Sequence, residues 1–392
     1  MATEPYRHPG FGGLQMPATS HSPQGPTLSG RLEGGSPVDG AAQAAGYNVT
    51  TRGLGGGVRT RPGTVGTIKS NYTGIVYKAW DIGNVRVLCA TKNGSGVNGL
   101  EVINTFSGSI TWSNTNSKWT SEGIATDMVV WDQESSPHDL ALLVNGSSLL
   151  QVNLTTLTFT DPSVDAGSLV AIAPWSPRLV TADFRGTQSA GHNTKTVRFS
   201  EPDTPLTFSA YDWVDLPGQE ETFLALEAWG DYLFLVTTDR ILVFYGESTD
   251  SDGATEFLYR EVGDRRAGNY QGAHVTPDGL LVYGGSGVWL TNGGPPVPVS
   301  APIEGLFLDG TIGWPDFVFQ GRRYDTDVAH RPMGIHFDGV DFITVRFSRS
   351  GYLPTRAVLV REPGNTWQLW GGFDPEGFLV IKGGDTANLR SG

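Results

Sequence analysis

The sequence predicts an all-β protein: a β-propeller with about six four-stranded blades, preceded by an extended low-complexity N-terminal arm. Three observations carry this expectation. The first is composition. The 392 residues include 53 glycines and 24 prolines, about one residue in five against roughly one in eight in an average chain. Gly costs about 1 kcal/mol and Pro about 3 kcal/mol in a helix interior, so a helical bundle, a coiled coil and a large α/β enzyme are excluded. The second is a succession of short apolar runs bounded by turn residues, the pattern of strands and hairpins. The third is a loose internal repeat whose anchors are Trp80, Trp131, Trp175, Trp229, Pro277 and Phe337. The anchors are spaced by roughly 44–60 residues, near the about 40–50 of a four-stranded propeller blade.

The elements follow in chain order. Residues 1–45 are rich in Gly, Pro, Ser and Ala and lack apolar periodicity. Alone, such a segment buries too little surface to offset its ordering entropy, so it reads as an arm that packs on neighbouring subunits. The rest, 46–392, reads as the propeller. KAWDIGNVRVLCAT from Lys78 marks a blade over roughly 64–119, and VVWDQESSPHDLALLVNGSSLLQVNL from Val129 one over 120–165. APWSPRLVTADF from Ala173 marks 166–217, and EAWGDYLFLVTTDRILVFYG from Glu227 marks 218–263. HVTPDGLLVYGGSGVWLTN from His274 marks 264–308, and GIHFDGVDFITVRFS from Gly334 marks 309–372. Within these, Tyr232–Thr238 and Ile241–Tyr245 flank a brief polar turn. Pro277-Asp278-Gly279 presets one turn, since Pro fixes φ and Gly tolerates positive φ. Asn145-Gly146 and Asp338-Gly339 are further hairpin signals.

Small twisted sheets of this kind expose two faces and open edges that invite aggregation. Radial stacking covers the faces, with the aromatic anchors filling wedges between neighbours. A closing strand is expected over 373–385, where the run Phe378–Ile381 between glycines would pair with the first blade.

The net charge is −13. A nucleic-acid-gripping protein carries a basic footprint, so tight DNA or RNA binding is not expected, whereas passage of DNA past an acidic wall stays open. The single cysteine, Cys89, excludes an internal disulfide framework and a Cys-based zinc site. The opening MATEPYRHPGFGGLQ lacks the apolar core of a signal peptide, and no apolar run reaches the 18 or so residues of a membrane span. Serine-hydrolase, zincin, Walker and dinucleotide motifs are missing. His330 and His336 with Asp325 and Asp327 fall short of the three or four converging ligands that a zinc-like ion needs. Asp250-Ser-Asp-Gly253 lacks the remaining acids of a calcium loop and reads as a hairpin tip. Asp183, Asp239 and Asp316 are not distinguishable from surface acids, and a carboxylate pair meeting across blades stays open. The tryptophans read as packing first and as a sugar-stacking platform second. No enzyme activity, cofactor or metal is expected. Arg52, Arg59 and Arg61 form the most basic stretch and read as inter-subunit contacts, a role that suits arginine.

Asn48-Val-Thr-Thr-Arg52 followed by Gly57-Val-Arg-Thr-Arg-Pro-Gly63 resembles the opening of tailed-phage tail nozzle proteins, the tail tubular protein B type of short-tailed phages. The stretch Trp229–Gly246, then Val262-Gly263, Gly268 and the hairpin Asp278–Trp289, follow in that family's order. The resemblance covers about residues 46–300. It implies a β-propeller structural virion protein, hexameric, forming a ring around the DNA exit channel. Its implied partners are copies of itself, adjacent tail adaptor or portal-side proteins and tail fibres, with viral DNA passing without tight binding. The implied location is the virion tail, after assembly in the host cytoplasm. The chain is shorter than members that carry platform and fibre-docking domains. Two alternatives stay open: a carbohydrate-binding or carbohydrate-active propeller, and a receptor-binding or tail-tip scaffold propeller.

Overall fold

The computed structural model describes residues 45–47, 49–50, 59–60, 75–82, 86–92, 98–104, 109–115, 126–131, 140–145, 149–160, 169–175, 177–183, 196–216, 221–249, 251, 255–263, 272–284, 287–303, 307, 323–324, 334–349 and 352–370. Three short strands come first: β1 (Ala45–Tyr47), β2 (Val49–Thr50) and β3 (Arg59–Thr60). Four antiparallel four-stranded sheets follow. They comprise β4 (Ile75–Asp81), β5 (Arg86–Lys92), β6 (Asn98–Asn104) and β7 (Ile110–Thr115); then β8 (Thr126–Trp131), β9 (Leu140–Asn145), β10 (Leu149–Asn153) and β11 (Thr158–Thr160). Next come β12 (Leu169–Trp175), β13 (Arg178–Asp183), β14 (Thr196–Glu201) and β15 (Thr204–Asp215); then β16 (Phe223–Trp229), β17 (Tyr232–Thr237), β18 (Ile241–Thr249) and β19 (Thr255–Gly263). The fifth sheet is β20 (Ala273–Thr276), β21 (Gly279–Gly284), β22 (Gly287–Thr291) and β23 (Val297–Pro298). The sixth is built on β24 (Arg323–Tyr324), β25 (Gly334–Phe337), β26 (Val340–Arg349), β27 (Tyr352–Glu362) and β28 (Thr366–Trp370). These are the six blades of a β-propeller, as the sequence predicts.

Within each sheet, chain neighbours pair as hairpins, so the local turns set the register. In the fifth sheet Thr276 stands opposite Gly279 across Pro277-Asp278. The Thr276 hydroxyl accepts from the Asp278 amide and donates to the Gly279 carbonyl. Gly279 has φ +137°, and a Cβ there would run into the Thr291 carbonyl oxygen. In the sixth sheet Asp338 and Gly339 have φ +52° and +78° between the paired Phe337 and Val340. Both are positive, as the twist-matched two-residue hairpin turn requires.

The chain divides into two compact units. One holds β4–β19. Its sheets bury apolar seams between chain neighbours: β4–β7 against β8–β11 through Leu88, Leu100, Met128 and Leu143, and β8–β11 against β12–β15 through Val129, Trp131, Ile172 and Leu179. The seam of β12–β15 with β16–β19 is aromatic, built around Phe199 with Trp175, Phe244 and Phe257. Phe199 stacks on Phe257 at 3.7 Å between centroids and meets Phe244 edge-on at 5.6 Å, the two favoured ring geometries.

The other unit holds β1–β3 and β20–β28. Its seam packs Leu281, Tyr283 and Val288 against Ile343, Val345, Phe347, Leu359 and Trp367. The Trp367 indole N–H donates to the Val299 carbonyl at 2.7 Å, so the buried ring keeps its polar partner. Here β1 lies parallel to β28, with Ala45 opposite Trp367 and Tyr47 opposite Leu369, and β2 pairs β3 with Val49 opposite Thr60 and Thr50 opposite Arg59. A strand from near the start of the sequence thus extends the last blade. The closing strand expected over 373–385 lies outside the described residues, as does the arm expected over 1–45 except for Ala45, which opens β1.

Candidate functional site

The six repeat anchors occupy one equivalent position. Each stands at the end of the first strand of its hairpin, or in the turn that follows. Their environments differ. Trp131 and Trp175 are buried in seams, Trp80 and Trp229 are half-buried, Pro277 is exposed in its turn, and Phe337 is 52% exposed at a hairpin tip. Of the arginines, Arg59 lies on β3, and Arg52 and Arg61 lie outside the described residues. Asp316, His330, Asp325, Asp327 and most of Asp250–Gly253 also lie outside them. Asp183 ends β13, and Asp239 is exposed in the β17–β18 turn. Among the described residues no group of three or more His, Cys, Asp or Glu side chains could hold a metal ion. Nor is any described helix long and apolar enough to cross a membrane.

A recess lies on one blade. Trp229 ends β16, Gly230 and Asp231 form a two-residue turn, and Tyr232 opens β17 opposite Trp229. Gly230 sits at φ +57° with open space around it, which favours glycine. The Trp175 indole of the preceding blade donates to the Asp231 carbonyl at 3.1 Å and pins the turn. On β18 the register shifts between Phe244 and Gly246, which pair Tyr259 and Leu258. That bulge re-aims Tyr245, as bulges do, leaving it 43% exposed. The Arg260 guanidinium on β19 lies over the Tyr245 ring at 5.6 Å. Trp229 stacks on Tyr232 with centroids 6.2 Å apart and planes 21° from parallel. Trp229, Gly230, Asp231, Tyr232, Tyr245 and Arg260 together line a cleft of ≈ 540 Å³. That volume is within the usual range for small-molecule sites, about 300–1,000 Å³. Of these residues the sequence singled out Trp229 alone. A tyrosine followed by glycine inside a strand (Tyr245-Gly246) was the available signal for the bulge.

Two further polar clusters are built into the seams. Arg178, 4% exposed, starts β13. Its Nε and Nη2 donate to Glu247 at 2.7 and 3.2 Å, and its Nη1 donates to Asp212 at 2.7 Å and to the Ser200 carbonyl at 2.6 Å. The guanidinium also lies 5.3 Å from the Phe257 ring centre. Burial works to lower its pKa, but the hydrogen bonds and charges of Glu247 and Asp212 outweigh it and the net shift is upward. This is a clasp between β12–β15 and β16–β19.

In the other unit Asp341 on β26 accepts from His336 Nδ1 at 2.6 Å and from Arg361 Nη1 at 2.8 Å. His274 on β20 is fully enclosed, with Nε2 3.6 Å from Asp341 Oδ1. Desolvation dominates at His274 and holds its pKa below the usual histidine value despite the carboxylate. At Asp341 burial pushes the other way, and the hydrogen bonds from His336 and Arg361 with the nearby His274 ring more than offset it, so its carboxyl is held below the usual range. A Cβ at Gly334 would collide with the His274 ring, so this cluster is solidly packed rather than hollow.

No family model matches the chain, and no curated protein is significantly similar to it in sequence. Solved structures are similar to the chain at low identity. A chain from the complex of KlAtg21 with the coiled-coil of AgAtg16 is 9% identical, with 75% of this chain and 79% of that one covered and a TM-score of 0.41. The N-terminal domain of Nup159 is 10% identical over 69% and 73%, with a TM-score of 0.37. The quinohemoprotein alcohol dehydrogenase of Comamonas testosteroni is 7% identical over 78% and 65%, also with a TM-score of 0.37. Likenesses this distant carry no functional argument, and the class of the protein rests on its own strand pairing.

Proposed function

We propose that the chain is a non-catalytic structural protein of a bacteriophage tail, a propeller subunit of the nozzle ring through which DNA leaves. The observation that carries this reading is the tail-nozzle-like motif and its local fold. Its two halves, Asn48–Arg52 and Gly57–Gly63, hold strands β2 and β3, which pair directly with Thr50 opposite Arg59. The β2–β3 pair is a two-stranded sheet of its own, beside β28 and next in sequence to β1, the strand that extends the last blade. An arginine-bearing hairpin outside the repeated sheets suits contact with an adjacent subunit. The net charge of −13 supports a wall that DNA passes without sticking, because every neutralised phosphate adds salt-dependent affinity. In this reading copies of the chain form a cyclic hexamer, the common closed solution for a tube. The arm clasps a neighbour, and tail adaptor and fibre proteins adjoin the ring.

The test is immunogold labelling of particles of the phage that encodes the chain. Label at the distal end of the tail supports the proposal. Purified particles that contain none of the chain overturn it.

A further inference from the structure

We propose that the cleft formed by Trp229, Asp231, Tyr232, Tyr245 and Arg260 is a binding site for a neutral saccharide, one pyranose ring stacking on the exposed aromatic faces while its hydroxyls meet the polar tips.

The chemistry of the lining selects the ligand. A pyranose has an apolar face of C–H groups and a belt of hydroxyls that both donate and accept. Trp229 and Tyr232 present near-parallel rings and Tyr245 adds a third, and aromatic faces attract polarised C–H groups as they attract ring edges. Apart from the Arg260 guanidinium, the polar tips are uncommitted among the described residues. Among the described residues the Trp229 indole N–H, the Tyr232 and Tyr245 hydroxyls and the Asp231 carboxylate have no hydrogen-bond partner. Only the Asp231 backbone carbonyl is engaged, by Trp175. Donors (indole N–H, phenol O–H, guanidinium) and acceptors (carboxylate, phenol oxygen) therefore surround one set of ring faces, which is what a polyhydroxyl ligand requires.

Charge narrows the class further. Arg260 at the Tyr245 ring repels an organic cation, and Asp231 repels a phosphate or carboxylate. A neutral polyol is repelled by neither and hydrogen-bonds to both. The cleft is open to solvent and its ≈ 540 Å³ exceeds one sugar ring, so an oligosaccharide or the end of a polysaccharide fits.

The site is also pre-shaped, which lowers the ordering cost of binding. Trp175 pins the turn from the neighbouring blade, the β18 bulge aims Tyr245, and Arg260 braces that ring. Asp231 is the lone carboxylate among the described lining residues. Hydrolysis with a carboxylate pair needs two, so the proposal is one of binding. The inference is independent of the tail reading and stands or falls on its own site.

The test uses the full chain with two kinds of probe. Soluble maltotriose, cellotriose and chitotriose are titrated by calorimetry up to tens of millimolar, and co-sedimentation with insoluble cellulose, chitin and starch reports on polysaccharide ends. At least one probe is expected to bind, and Tyr245→Ala and Asp231→Asn, both at exposed positions, are expected to weaken it by roughly tenfold or more, the scale of a lost binding hot spot. Trp229→Ala is expected to abolish it, with the thermal midpoint measured alongside to show that the fold persists. Binding by the soluble sugars alone assigns the ligand as a free oligosaccharide, and binding by the insoluble probes assigns a polysaccharide. No binding by any probe, or binding that Tyr245→Ala and Asp231→Asn leave unchanged, overturns the proposal.

Discussion

Replacing Arg178 by methionine keeps most of the apolar stem and removes only the guanidinium. What remains is set by the partners. Asp212 is 7% exposed and would keep a buried carboxylate without the cation at 2.7 Å. The Ser200 carbonyl, in the same seam, loses its charged donor at 2.6 Å. Glu247 differs, because its side chain is 33% exposed and water replaces the guanidinium there at little cost. Breaking a buried pair from one side costs about 3–5 kcal/mol, chiefly because a charge is left stranded, and the Glu247 half adds little to that. For a cooperative unit of 150–250 residues the corresponding fall in Tm is roughly 6–20 °C. The assay is urea unfolding followed by far-ultraviolet circular dichroism, with thermal melts in parallel. Adding Asp212→Leu to Arg178→Met is expected to recover most of the loss, because the stranded carboxylate goes with it, and the double-mutant cycle isolates that coupling. An Arg178→Met protein within about 0.5 kcal/mol of the parent, the range of an ordinary surface change, would refute the reasoning.

Three other outcomes are expected. His274 is held below its ordinary pKa of 6.5 by burial, so the unfolded chain takes up a proton first. Its contribution to stability is whole above about pH 6.5 and declines as pH falls below that. Asp341, also depressed, adds a second loss as pH falls below its ordinary 3.8 and through its folded value. Urea midpoints measured from pH 8 to 3 should show the upper limb disappear in His274→Gln, and an unchanged profile would contradict the assignment. Gly334→Ala is expected to cost about 1–3 kcal/mol through overpacking against the enclosed His274 ring, and a neutral result in the same unfolding assay would show that the ring can yield. The Cys89 thiol is pushed up to about 12, by burial first and the Glu101 charge second. A thiol reagent at pH 8 should therefore react with it only after unfolding, and rapid labelling of the native protein would contradict its burial.

The blade plan was legible in the sequence because local chemistry writes it. Short apolar runs such as Tyr232–Thr237 and Ile241–Tyr245 and turn pairs such as Asp338-Gly339 specify hairpins within a few residues. The anchors were legible as a repeat but not as an environment. Trp175 and Phe337 end equivalent strands, yet one is sealed in a seam and the other is 52% exposed, since depth depends on what the neighbouring sheet supplies. Three features depend on distant pairing, and they left little or no local trace. Ala45–Tyr47 carries no strand-length apolar pattern, and only its partner β28 makes it a strand. Arg178 follows Pro177 and reads as a surface turn until Asp212 and Glu247 arrive from other strands. The cleft needs the β18 bulge to bring Tyr245 beside Trp229, and Tyr245-Gly246 marks that bulge without saying which partner residues it faces.

In the proposed role this propeller is one subunit of a ring. Cryo-electron microscopy of the purified 392-residue chain, together with the same protein lacking residues 1–45, is the decisive measurement. Closed cyclic rings with a central channel are expected for the 392-residue chain, and a folded, unassembled propeller for the truncated one. Untruncated chains that remain single propellers at every concentration and salt would contradict that role.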